Sequence, residues 1–137
     1  MSGCRPGHHP APPAGSDGPA LVVFSGRADL RWLACLKPGF RHCFAALASG
    51  RHWVVYNPLS HCTDIAVLDG VGGDALAAWY RSHGFTVVCW TRRRPAAKPA
   101  PPGFYTCVEA VKRVLGIHAP RVITPWNLYN FLQKENF

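Results

Sequence analysis

The 137-residue sequence contains no run of about eighteen apolar residues, so no transmembrane helix is expected. Its first residues, MSGCRPGHHPAPPAGSDGP, lack the apolar centre of a signal peptide. They are mostly Pro, Gly, Ala and Ser with little to bury, and read as a flexible leader over 1–19. Six cysteines are present, but no pair has CxxC spacing and no secretory signal accompanies them. A disulfide framework is therefore not expected, and the reading is a reducing compartment, with the protein cytoplasmic or virion-associated. Cys35, Cys43 and Cys89 sit inside apolar runs, where a thiol behaves as a small hydrophobe. His52, His61, Cys62 and Asp64 match no zinc spacing, so neither a metal nor a cofactor is expected.

Acidic residues are scarce, with 7 Asp and Glu against 15 Lys and Arg, for a formal charge of +8. A basic surface favours acidic partners. No aromatic-interleaved basic stripe or helix-turn-helix pattern is present, so nucleic acid is not the expected partner. The densest run is Arg92, Arg93 and Arg94, which reads as an exposed polyanion-binding loop or as a plain charged connector. With 48% hydrophobic and 16% charged residues, the remaining chain can bury one core.

The punctuation predicts an α+β domain over 20–137, with an antiparallel sheet packed against helices and a Pro/Arg-rich loop at 92–103. Strands are expected at 20–26, 42–48, 51–57, 63–68 and 85–90. DLRWLACLK is helical in pattern, with Asp29 as cap and Pro38-Gly39 as stop. GGDALAAWYRSHG reads as a helix capped by Asp74 and ended by Gly84, with Leu76, Ala77, Trp79 and Tyr80 on its packing face. TCVEAVKRVLG has a T-x-x-E capping box at Thr106 and Glu109 and ends at Gly116. A last helix starts at Thr124-Pro125, with Leu128, Phe131 and Leu132 facing inward.

The stretch FRHCFAALASGRHWVVYN is nearly all apolar, yet His42 and Asn57 stand at its open end. A hairpin turning at Ser49-Gly50 would oppose His42 to Asn57, Phe44 to Val55 and Ala46 to Trp53, placing each pair on one face. Cys107 opens the TCVEAVKRVLG helix. A thiol there feels the positive end of the helix dipole, which favours the thiolate. If that helix start packs beside the open end of the hairpin, Cys107 is a nucleophile, His42 its base and Asn57 the group that orients the imidazole. The Cys107 backbone N–H would serve as an oxyanion donor. The competing readings are a satisfied strand-end histidine, a turn asparagine before Pro58 and a buried helix-end cysteine.

The pieces FRHCFAAL, HWVVYN and YTCVEAVKRVLGI resemble the circularly permuted branch of the papain-like fold, which includes NlpC-like peptidases and lecithin:retinol acyltransferase-like proteins. They also resemble small phage and prophage proteins. The order His, Asn, Cys replaces Cys, His, Asn, and members with histidine first vary in their third residue. The resemblance implies a cysteine-dependent hydrolase or acyl transferase acting on an amide or ester bond. It implies a peptide or cell-wall polymer substrate, with Trp53 and Tyr105 as substrate contacts and phage association as the setting. The alternative is a non-catalytic virion or tail component, with phage structural proteins as partners and Trp126, Tyr129 and Phe131 as contact surfaces.

Overall fold

A computed structural model describes residues 18–27, 36–93 and 105–136. The expected helix from Asp29, most of the leader, Arg94 and most of the proline-rich loop lie outside the described residues. The remainder is α+β. Five strands, β1 (Gly18–Ser25), β2 (His42–Ser49), β3 (His52–Pro58), β4 (Thr63–Asp69) and β5 (Thr86–Arg92), form one antiparallel sheet in the order β4-β3-β2-β1-β5. Among the described residues the helices are α1 (Gly73–Ser82), α2 (Cys107–Leu115) and α3 (Pro125–Glu135).

The sheet divides two cores. On one face Leu21, Val23, Phe44, Ala46, Trp53 and Val87 pack with Leu76, Ala77 and Tyr80 of α1. On the other, Val22, Phe24, Cys43, Ala45 and Val88 pack with Val108, Val111 and Leu115 of α2 and with Leu128 and Leu132 of α3. β1 lies inside the sheet with both faces covered, which explains its unbroken apolar run Ala20–Phe24. It starts at Gly18, so two residues of the expected leader belong to the sheet.

The hairpin turns one residue later than expected. Ser49–His52 closes it, and Gly50 takes φ +59. In this two-residue turn the positive φ falls at the first central position, where glycine is favoured, and Arg51 follows it. Moving a turn by one residue moves the pairing by two. Ala46 therefore pairs with Val55 and Ala48 with Trp53, instead of Ala46 with Trp53. Because side chains alternate with period two, the faces are unchanged. Extended to the open end, this register puts Asn57 level with Phe44, so His42 and Asn57 are diagonal neighbours rather than directly opposed.

α1 is capped at Gly72 without a side-chain bond, and Asp74 lies in its first turn instead. Trp79 is 54% exposed and stacks on His83, so it leaves the packing face to Leu76, Ala77 and Tyr80. α3 has a full capping box between Thr124 and Asn127, with Pro125 in its first turn. Tyr129 packs on Phe24 and Phe40, and Trp126 on Phe40, with ring centroids 4.8–5.7 Å apart. This aromatic tail joins α3 to the sheet rather than standing out as a contact surface.

At α2 the expected capping box is half made. Thr106 Oγ1 accepts from the Glu109 N–H at 3.3 Å. The Glu109 carboxylate turns away to Lys112 Nζ at 2.8 Å and Arg113 Nε at 3.3 Å. Lys112 is only 4% exposed, and its ammonium also donates to the carbonyls of Ala119 and Val122, each at 2.9 Å. All three ammonium hydrogens thus have acceptors, which permits burial of the charge. The bonds tie the segment after α2 back onto the helix. Lys112→Met leaves buried acceptors unpaired and should cost about 2 kcal/mol, read as a lower urea midpoint at neutral pH. The hydrogen bond from Lys112 holds the Glu109 carboxyl below its usual value of 4.5. This contribution is present above the unfolded value and lost as pH falls through the lower folded one. The difference between wild type and Lys112→Met should therefore shrink on acidification below that range.

Candidate active site

Three chain elements meet at one end of the sheet. β2 begins there with His42, β3 ends there with Asn57-Pro58, and α2 starts there with Cys107. His42 and Asn57 share the face that carries α1, because both positions have the parity of Phe44 and Val55. Cys107 arrives from the opposite face, packed against the core that contains Cys43. At the sheet's end a side chain from either face reaches past the strand, so the three groups come together.

His42 Nε2 lies 2.7 Å from Asn57 Oδ1. A carboxamide oxygen only accepts, so Nε2 carries the hydrogen and donates. That tautomer leaves Nδ1 as the ring atom for the other partner. The other side of the site is a hydrogen bond between the Cys107 side chain and His42. The Cys107 thiol is brought down from 9.0 to about 5. The largest cause is a hydrogen bond from the Cys43 side chain. Burial opposes the change, while the His42 hydrogen bond, a backbone hydrogen bond from Cys43 and Coulombic attraction to His42 add to it. The Cys43 thiol is fully buried and is pushed well above 9.0 by its burial and by Cys107, so it keeps its proton.

Cys107 is the first residue of α2, so its backbone N–H has no intrahelical acceptor. Further along the turn, the Glu109 N–H is taken by Thr106 Oγ1 and the Ala110 N–H by the Thr106 carbonyl. With no acceptor among the described residues, the Cys107 amide next to the sulfur points to where negative charge would gather on an attacked carbonyl.

The chain matches no known family model, no curated protein and no solved structure. Its chemistry is therefore read from the site alone. No helix among the described residues is long and apolar enough to cross a membrane.

The other expected site residues are dispersed. Trp53 is 7% exposed beside the hairpin turn, on the α1 core, and its ring covers Gly73. It lies four residues along β3 from Asn57, or about 13 Å, and does not border the site. Tyr105 is 60% exposed, two residues before Cys107, with its hydroxyl 3.2 Å from that of Tyr56. The Arg113 guanidinium lies over its ring. Arg92 is not in a loop: it ends β5, and its Nε donates to the Val114 carbonyl at 2.8 Å. The Arg93 N–H donates to the Leu115 carbonyl. Together they satisfy carbonyls at the negative end of α2, so Arg92 has a structural partner before any polyanion. The Arg93 side chain is exposed, and Arg94 lies outside the described residues.

A cleft of about 400 Å³ opens on the α1 side of the imidazole, lined by His42, Asn57, Phe44, Leu59, Phe85 and Arg27. The sequence reading missed Cys43, which looked like one more apolar-run cysteine. Its adjacency to His42 was the available signal, but a strand sends adjacent side chains to opposite faces, and that argued against a shared site. Cys89 is exposed, contrary to the same reading.

Proposed function

We propose that the protein is a cysteine-dependent hydrolase or acyl transferase acting on an amide, ester or thioester carbonyl. The observation that carries this reading is the relay from Asn57 Oδ1 to His42 Nε2 at 2.7 Å and from the His42 ring to a Cys107 sulfur held as thiolate near neutral pH. A half-buried thiolate with a histidine neighbour, whose own far nitrogen is fixed by a carboxamide, is an activated nucleophile with its base and orienting group. The chain order His42, Asn57, Cys107 is what supports reading these groups in a permuted papain-like arrangement.

In this reading the Cys107 sulfur attacks the carbonyl carbon, and the C=O electron pair moves onto oxygen beside the Cys107 N–H. The proton held between sulfur and His42 Nδ1 passes to the leaving amine, alcohol or thiol as the tetrahedral species collapses to an acyl-thioester. Nδ1 then takes a proton from water or another acceptor, which attacks the thioester and releases the acyl group and the Cys107 thiolate. Asn57 keeps Nδ1 aimed at this path through the Nε2 hydrogen bond.

A p-nitrophenyl acetate burst tests the reading without knowledge of the natural substrate. One equivalent of p-nitrophenolate should be released with acetyl transferred to Cys107, seen by mass spectrometry of the digested protein. Asn57→Ala should slow acylation about tenfold, the loss of one hydrogen bond to a group that becomes charged. No burst, or acetyl distributed over several cysteines, would count against a nucleophilic Cys107.

A further inference from the structure

Cys43 lies in β2 next to His42 and has no place in the relay described above. It is fully buried, paired across the sheet with Phe24, and its side chain faces α2. The first turn of α2 docks on that face. Cys107 packs against the core cluster of which Cys43 is a member, and Val108 is buried in the same cluster. Two further features aim Cys43 at the nucleophile. The register pairs of β2 with β3 run only from Ala45 to Ser49, so Cys43 lies beyond the paired part of that ladder. Both the side chain and the backbone of Cys43 hydrogen-bond to Cys107.

A buried thiol offers one weak S–H donor and one weak acceptor. Beside a thiolate only the donor role is favourable, because the sulfur of Cys107 then carries the charge. A Cys43 thiolate next to a Cys107 thiolate would place two like charges side by side, one of them fully buried. Burial thus keeps Cys43 protonated, and protonated Cys43 stabilises the neighbouring anion. The groups that bear on the Cys107 sulfur are Cys43 and His42, both from β2. Glu109, on the same helix, is turned to Lys112 and Arg113, and Tyr56 on β3 is bonded to Tyr105.

We propose that Cys43 is a positioning residue of the active site: its S–H and its backbone N–H donate to the Cys107 sulfur and hold it toward His42. The proposal rests on Cys107 being the nucleophile. It assigns the two faces of β2 complementary tasks, with His42 on one side supplying the base and Cys43 on the other supplying the donor. Consecutive strand residues reach the same sulfur because that sulfur sits at the end of the strand.

The test is the acid limb of Cys107 alkylation by iodoacetamide, followed site by site by mass spectrometry from pH 4 to 9, so that the other cysteines do not interfere. Wild type should have its midpoint at about 5. Cys43→Ala, which removes the S–H and keeps the backbone N–H, should raise the midpoint by about one pH unit or more, the scale of a hydrogen bond to a charged group. Cys43→Ser restores a donor and should bring the midpoint back toward wild type, although a hydroxyl packs less well in an apolar core. Cys43→Val fills the space without a donor and should behave like Cys43→Ala, which covers the case of an alanine variant that does not fold. A midpoint unchanged in Cys43→Ala or Cys43→Val overturns the proposal and leaves the nucleophile reading standing. Equal midpoints in the serine and alanine variants, both raised, also overturn it, since the residue would then act by packing alone. A wild-type midpoint near that of a free thiol would overturn this proposal and the nucleophile reading together.

Discussion

Cys107→Ser should abolish turnover, with a loss on the order of 10⁴ or more on any ester or amide the wild type cleaves. The reason is the state of the nucleophile. In the proposed site a histidine, the Cys43 thiol and the helix-end amide surround a sulfur whose thiol is brought down to about 5. A serine hydroxyl in that place stays protonated, and His42 would have to remove its proton during the attack itself. His42→Ala should do comparable damage by a different route, since both the Nδ1 proton relay and part of the thiolate stabilisation disappear. Residues that act as a unit do not add. The double variant should therefore be no slower than either single one. Folding should survive each change, because the cap at Thr106, the Lys112 clamp and both cores are untouched. The measurement is single-turnover acylation with p-nitrophenyl acetate on variants whose urea midpoints match wild type. A Cys107→Ser variant that retains most of the wild-type rate would remove Cys107 as the nucleophile.

Alkylation of Cys107 at pH 5.5 should be about 40-fold faster than that of a thiol left at 9.0. The figure follows from two opposing effects. With the thiol at about 5 rather than 9.0, the thiolate fraction at this pH rises by roughly 2,000-fold. A less basic thiolate is also a poorer nucleophile, by roughly 60-fold over that interval at a Brønsted slope of about 0.45. At pH 7 the fraction gains only about 100-fold, and the two effects nearly cancel. A labelling experiment at neutral pH would therefore show an ordinary-looking cysteine, and the acid side is where the site declares itself. His42→Ala should shift the acid limb upward and reduce the advantage at pH 5.5. Its limb moving downward or not at all would mean that the imidazole does not bear on the sulfur.

Much of the scaffold was legible as pattern. Val22 to Phe24 read as a buried strand because an unbroken apolar run suits a strand covered on both faces. The helix starting at Cys107 was legible from Thr106 and its end from Gly116, which takes φ +75 as the left-handed cap. His42 and Asn57 were legible as sharing one face, since strand periodicity survives an error of two residues in register. Their alignment was not. The local sequence Ser49-Gly50-Arg51 allows glycine at either central position of a two-residue turn, and the choice depends on the twist of the strands it joins.

By itself, then, the sequence determined where elements begin and end, which residues share a strand face, and that a cysteine stands at a helix start. These are local properties, set by backbone sterics, caps and the period of two. Only the tertiary structure decided that β5 lies beside β1 rather than β4, that Arg92 is spent on α2's carbonyls, and that Trp53 is core. It alone brought Cys107 to His42 across the sheet and put Cys43 behind the sulfur. Those outcomes depend on which apolar faces pack together and on where strand ends stop pairing, quantities that involve residues far apart in the chain and leave no spacing in it.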